Sequence, residues 1–274
     1  MDKDLIQIEF YFPKKREVKD KQELADLIVE EMREKGSVSY SGHINEEGLK
    51  KGLVQHISDG SISGYRALTE KQEEEVKKNI KKTISMCNEK LPLPTKNYIF
   101  IFPYLPTKDE NVFNGVIGMA RYSCVFHIFL NPDEWTPKVL ANSVAHELNH
   151  TIFYYNHYDD FENYTLLDEM VMEGLAENFR EQVVDSEQSP WAGALKKEEA
   201  FLILENLKDK LFLKDKDLIK DVLFGNNKYK KWTGYSVGYW LARKYIDKNP
   251  DFSWEEIIKK DSREFLEVKK IKEA

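Results

Sequence analysis

His146-Glu147-Leu148-Asn149-His150 constrains this chain more than any other stretch, because two histidines stand four residues apart with a glutamate between them. On a helix, residues at i and i+4 lie one turn apart on the same face, so both imidazoles can reach one ion without backbone distortion. Glu147 is turned by about 100° from His146, which sets its carboxylate beside such an ion instead of on it. The helix itself is legible. Thr136 and Pro137 read as its N-cap and first residue, and Leu140, Val144, Leu148 and Ile152 form an apolar stripe at helical spacing. The histidines fall on roughly the opposite side, so core packing does not account for them. The chemistry this pattern suits is hydrolysis at zinc, which takes three protein ligands and keeps one position open for water. Zinc lowers the pKa of that water toward about 7, and a neighbouring carboxylate can take the proton as the water attacks a carbonyl carbon.

Two histidines need a third ligand. The metzincin spacing would require a glycine and then a histidine downstream, but Phe153 and Asn156 occupy those positions. His157 comes one residue late and reads as a surface loop residue. The other solution is a carboxylate from a second helix. Thr165 can cap a helix running from Leu166 to Phe179, with Leu167, Val171, Leu175 and Phe179 as its apolar stripe. Its other stripe is acidic. Glu169, Glu173 and Glu177 stand at successive i+4 positions, and each like-charge pair costs an isolated helix about 0.2–0.5 kcal/mol unless a cation relieves it. Glu173, mid-helix beside Gly174, is the assigned third ligand, with Glu169 as the competing assignment. Glu177 is placed to accept a hydrogen bond from the outer nitrogen of a liganding histidine, which would fix its tautomer. Gly174 costs a helix about 1 kcal/mol relative to alanine, which makes sense if another backbone comes close; the histidine-bearing helix is the expected neighbour.

Taken in order, His146-Glu147-Leu148-Asn149-His150, Thr165-Leu166-Leu167-Asp168, Glu173-Gly174-Leu175-Ala176-Glu177 and Gly234-Tyr235-Ser236-Val237-Gly238-Tyr239 resemble a known family. It is the YjaZ-like group of predicted zinc-dependent proteases, which stands among the gluzincins of the HExxH zincins. The resemblance implies a zincin fold, one zinc per chain held by His146, His150 and Glu173, and Glu147 as general base. The last motif has a physical reading of its own. Peptide hydrolysis builds negative charge on the former carbonyl oxygen, and a tyrosine hydroxyl aimed there stabilises the transition state. Tyr235, near the expected helix start, is preferred over Tyr239 for that role; the competing reading is that both tyrosines pack and the two glycines allow close helix contact.

Along the rest of the chain, Leu5 to Phe12 reads as a strand and Gln22 to Lys35 as an amphipathic helix ended by Gly36. Residues 36–69 are rich in Gly and Ser, with His43 and His56 as expected surface loop residues. Glu70 to Lys90 is a charged helix closed by Leu91-Pro92-Leu93-Pro94. Tyr98 to Tyr104, Val112 to Ala120 and Cys124 to Leu130 read as strands. Gly115 and Gly118 make the middle one a candidate sheet edge, and His127 a histidine packed on a strand face. From Pro137 onward the chain is mostly helical. The order predicts an α+β, zincin-like fold with an N-terminal mixed-sheet lobe, a metal-bearing helix and a mostly helical C-terminal lobe. Residues 1–74 form an accessory region packed on the core, and residues 75–274 the metallopeptidase domain.

Composition narrows the partners. A net charge of −7 without a long basic run argues against nucleic acid. No apolar run approaches the roughly 18 residues a membrane crossing needs, and Met1 to Ile8 lacks the pattern of a signal peptide. Cys87 and Cys124 have no CxxC spacing, so reduced thiols and a cytoplasmic setting are expected. The expected activity is a zinc metallopeptidase acting on peptide or unfolded protein, with endopeptidase and aminopeptidase modes left open. The alternative is a zincin-fold metal-binding interaction or regulatory protein with little turnover, against which the intact Glu147 argues.

Overall fold

The computed structural model describes residues 5–14, 17–36, 46–57, 62, 65–104, 113–157 and 163–266. It is α+β. Four strands, β1 (Ile6–Phe10), β2 (Asn97–Pro103), β3 (Val116–Tyr122) and β4 (Val125–Leu130), form one mixed sheet in the order β1-β2-β4-β3. β1 and β4 both run parallel to β2, whereas β3 pairs antiparallel with β4 and closes one edge. Strand β2 is apolar almost throughout because both faces of the sheet are covered, the pattern expected of a buried parallel strand.

Alternation along the strands divides the interior into two cores. Phe100, Phe102, Val125 and Phe129 face Leu24, Ile28 and Met32 of α1 (Lys21–Glu34) and Leu49 and Leu53 of α2 (Glu46–His56). Ile99, Ile101, Phe126 and Ile128 face the other way, toward α3 (Glu70–Lys90) and α4 (Pro137–His157). β1, α1 and α2 thus build one edge and one outer layer of the same sheet. His127 lies on the α1/α2 side against Phe100 and Phe102, with ring centroids 5.9 and 5.3 Å away, on the face opposite α4.

Helix α2 departs from the expected loop across residues 36–69. Its sequence has few apolar residues, but Leu49 and Leu53, one turn apart, are buried against α1, so tertiary contact holds a helix that local pattern does not announce. His56 is its last residue, and His43 lies outside the described residues. His157 is likewise the final residue of α4 and not part of a loop: its ring stacks on Phe153 at 4.2 Å, and Nε2 lies 2.7 Å from the Ile258 carbonyl.

After α4 the described chain is helical: α5 (Leu166–Val184), α6 (Lys197–Asn206), α7 (Lys216–Phe224), α8 (Thr233–Lys248) and the short α9 (Trp254–Ile257), followed by a 3-10 turn at Ser262–Phe265. Thr165 caps α5 with a reciprocal capping box to Asp168. α5 is buried nearly all round, with α4 on one side and α8 on another. The neighbour that requires Gly174 is α8, not α4. A Cβ on Gly174 would meet the Gly238 carbonyl oxygen at 2.0 Å, and one on Gly238 would meet the Met170 carbonyl oxygen at 1.8 Å. Asn178 donates to the carbonyls of Gly174 and Tyr239 at 2.8 and 3.1 Å, tying the two backbones together. Because the obstacle is backbone, Gly238→Ala is expected to destabilise the fold by about 3 kcal/mol. Denaturant unfolding monitored by circular dichroism checks this, and an unchanged midpoint would contradict the tight crossing.

Candidate metal centre

Helices α4 and α5 face one another with their charged residues inward. His146 Nε2 and His150 Nε2 are 2.9 Å apart, and Glu173 Oε2 lies 3.2 Å from the first and 3.5 Å from the second. One donor atom from each of the three residues lies within 4.8 Å of the others, and no other His/Cys/Asp/Glu group among the described residues converges this way. The residues fit a metal ion. Glu173 Oε2 is buried with no properly directed hydrogen bond, a costly state that a cation would relieve. Two imidazoles and one carboxylate are also a donor set suited to zinc. Glu169, one turn before Glu173, is outside this group. Burial, with Glu173 adding to it, pushes the Glu169 carboxyl up to about 7.

Glu177 lies fully buried behind His146. Its Oε1 stands 2.9 Å from His146 Nδ1, off the line a hydrogen bond prefers. Four donors hold the carboxylate: Arg180 gives Nε and Nη2 to Oε2 at 3.0 and 2.9 Å, Ser189 Oγ donates to Oε2 at 2.5 Å, and the Trp191 indole donates to Oε1 at 2.8 Å. Despite burial, His146 and Arg180 hold Glu177 down to about 2. Sequence reasoning missed these partners. Arg180 stands at i+3 from Glu177, a signal that was available; Ser189 and Trp191 come from the segment after α5, whose path no spacing reveals.

Burial opposes a charge on His146, but Glu173 and Glu177 outweigh it and raise its pKa well above the ordinary imidazole value in the metal-free site. Glu173 is displaced the opposite way, below the carboxylate range, as His150 and His146 outweigh its burial.

Glu147 lies beside this triad, close enough to feel the charge of both histidines, and its carboxylate reaches β3. Its Oε2 accepts the Ala120 N–H at 2.6 Å, and its side chain crosses Gly118, where any Cβ would lie 2.4 to 2.7 Å from the Glu147 side chain. Gly118 is therefore a clearance for the glutamate. Burial raises the Glu147 carboxyl above the ordinary range, against the pull of both histidines. The expected sheet edge and the expected base thus meet on one strand.

Tyr235, in the first turn of α8, is buried near the Glu173 carboxylate, and burial together with Glu173 raises its pKa well above that of free tyrosine. Tyr239 is engaged elsewhere: its hydroxyl donates to Glu181 at 3.1 Å and accepts from Arg243 at 3.1 Å. The glycines of this motif provide the close contact, Gly238 with α5 and Gly234 with Leu223.

An α+β chain with an inward-facing pair of histidines and a glutamate that could hold a metal defines the class. The model of the family described as predicted Zn-dependent protease (DUF2268) matches residues 75–267, and the chain belongs to that family. It is similar to the uncharacterized protein YjfC of Bacillus subtilis (strain 168), 22% identical over 205 residues that cover 68% of each chain. It is also similar to the uncharacterized protein YjaZ of the same organism, 26% identical over 220 residues that cover 75% of this chain and 76% of the relative. No solved structure gives a significant match.

Proposed function

We propose that this chain is a zinc-dependent peptidase of the zincin type, in which His146, His150 and Glu173 hold the metal and Glu147 is the general base. The observation that carries the reading is the convergence of those three ligand atoms with Glu147 buried beside them and anchored to an edge strand. When bound, zinc would supply Lewis acidity toward a carbonyl and make an attacking water acidic. The protein's own groups supply the rest. The Ala120 N–H fixes one oxygen of Glu147, leaving the other to take the proton of the attacking water and pass it to the departing amine. Burial raises its pKa above the ordinary carboxylate range, the direction that favours accepting a proton. β3 pairs only with β4 among the described strands, so its outer edge can take an extended peptide through main-chain hydrogen bonds, whatever the side chains.

The substrate class is peptide or unfolded protein. A cytoplasmic setting belongs to the proposal, supported by two cysteines that form no disulfide and by the lack, among the described residues, of any helix long and apolar enough to cross a membrane. Zinc-loaded protein is expected to cleave an unfolded polypeptide. Chelation should stop cleavage and added zinc restore it; activity that survives exhaustive chelation would reject the metallopeptidase reading.

Tyr235 is the proposed donor to the oxyanion. Tyr235→Phe is expected to lower kcat by about 10²–10³ with little change in KM, the loss typical of one such donor. Steady-state kinetics on a defined peptide decide it, and an unchanged kcat removes Tyr235 from the reaction.

A further inference from the structure

Three half-exposed aromatic rings lie beside the metal centre and join neither hydrophobic core. Phe113, in the turn leading into β3, packs on Trp191 with centroids 5.5 Å apart, and Trp191 meets Trp232 edge-on at 6.2 Å. The Trp191 indole N–H is the donor to Glu177 Oε1, the oxygen that faces His146. The middle ring of the row is therefore one carboxylate away from a candidate metal ligand. Trp232 is also held in left-handed backbone, φ 64°, immediately before α8. That conformation is costly for a bulky side chain, and such strain concentrates at ligand clamps.

Resting on the peptidase reading above, we propose that Phe113, Trp191 and Trp232 form an apolar subsite that takes a bulky apolar side chain of the peptide next to the scissile bond. Phe113 stands three residues before the first residue of β3, in the turn that leads into it, so a peptide paired along that edge would extend toward the ring. Half-exposed rings in a row offer faces and edges to an alkyl or aromatic group and bury it at little entropic cost to themselves. Among the described residues two charges touch the row: the Glu177 carboxylate, already held by four donors, and the Lys231 ammonium, 4.6 Å from the Trp232 ring centre, which offers no partner to a basic side chain.

The test uses the full zinc-loaded chain and blocked peptides that are identical except for one residue, Phe or Ala. Binding is measured by calorimetry in the Glu147→Gln background, where turnover is suppressed, and cleavage is measured separately with Glu147 intact. The Phe peptide is expected to bind about 10-fold or more tightly than the Ala peptide, the scale of a filled apolar pocket. Phe113→Ala and Trp232→Ala should each bring that ratio toward unity; neither ring is in a core, so neither change removes core packing. Equal affinity for the two peptides, or a ratio that survives both substitutions, overturns the subsite. If the ratio collapses as expected but the protein with Glu147 intact cleaves neither peptide, the subsite stands and the peptidase reading fails. Cleavage whose preference ignores both substitutions sinks the subsite and leaves the peptidase reading standing.

Discussion

Glu147→Gln is expected to lower peptide hydrolysis by about 10²–10⁴-fold while metal content stays at the level of the unmutated protein. The amide is nearly isosteric with the carboxylate, so it can keep the clearance at Gly118 and still offer an oxygen to the Ala120 N–H. It cannot accept the proton of the attacking water. Elemental analysis beside turnover on a defined peptide separates the two effects. Retained turnover would refute Glu147 as the base, and loss of metal would show that its charge helps hold the ion. A protein that binds metal and peptide but has no use for a base would show no change in either measurement.

The pairing of the two helices that carry the candidate metal ligands was legible because it needs only local rules. The i, i+4 histidines, the Thr165 cap and the repeating glutamates each follow from one turn of helix, and α3 runs from Glu70 to Lys90 as its Thr69 cap and proline-rich end dictate. The candidate edge strand was legible from Gly115 and Gly118, but the reason for Gly118 was not. Its neighbour is the Glu147 side chain on another element, far along the chain, and no period encodes that meeting. The same limit hid the α5–α8 crossing: Gly174 announced a close backbone without saying whose. α2 was missed for a complementary reason, since two leucines suffice to anchor it only once α1 is in place.

Glu173→Ala is expected to abolish stoichiometric zinc binding, whereas Glu169→Ala is expected to leave it intact. Removing one of three ligands leaves two imidazoles, too few for a stable site. Glu169 lies one turn away and is outside the converging group, so its loss removes charge from the cleft without removing a ligand. Elemental analysis of untagged protein compares the three; zinc lost with Glu169→Ala but kept with Glu173→Ala would move the ligand by one turn. The elevated pKa of His146 gives the binding a pH dependence of known sign. In the metal-free site Glu173 and Glu177 favour a proton on His146, and zinc must displace it. Zinc uptake is therefore expected to release a proton and to weaken as pH falls, which calorimetry in buffers of different ionisation enthalpy reads directly.

The glycine crossing of α5 and α8 has a mechanical meaning for the cleft. With carbonyl oxygens against the glycines and Asn178 bridging both backbones, α5 and α8 have little room to slide, so Glu173 and Tyr235 are carried on one tightly joined pair of helices. The histidines and Glu147 ride on α4, which is joined to the sheet through β3. The candidate ligand set is thus divided two against one across the interface of α4 and α5. An ion held by all three would join the two helices like a rivet, so its removal is expected to loosen that interface before the α5–α8 crossing.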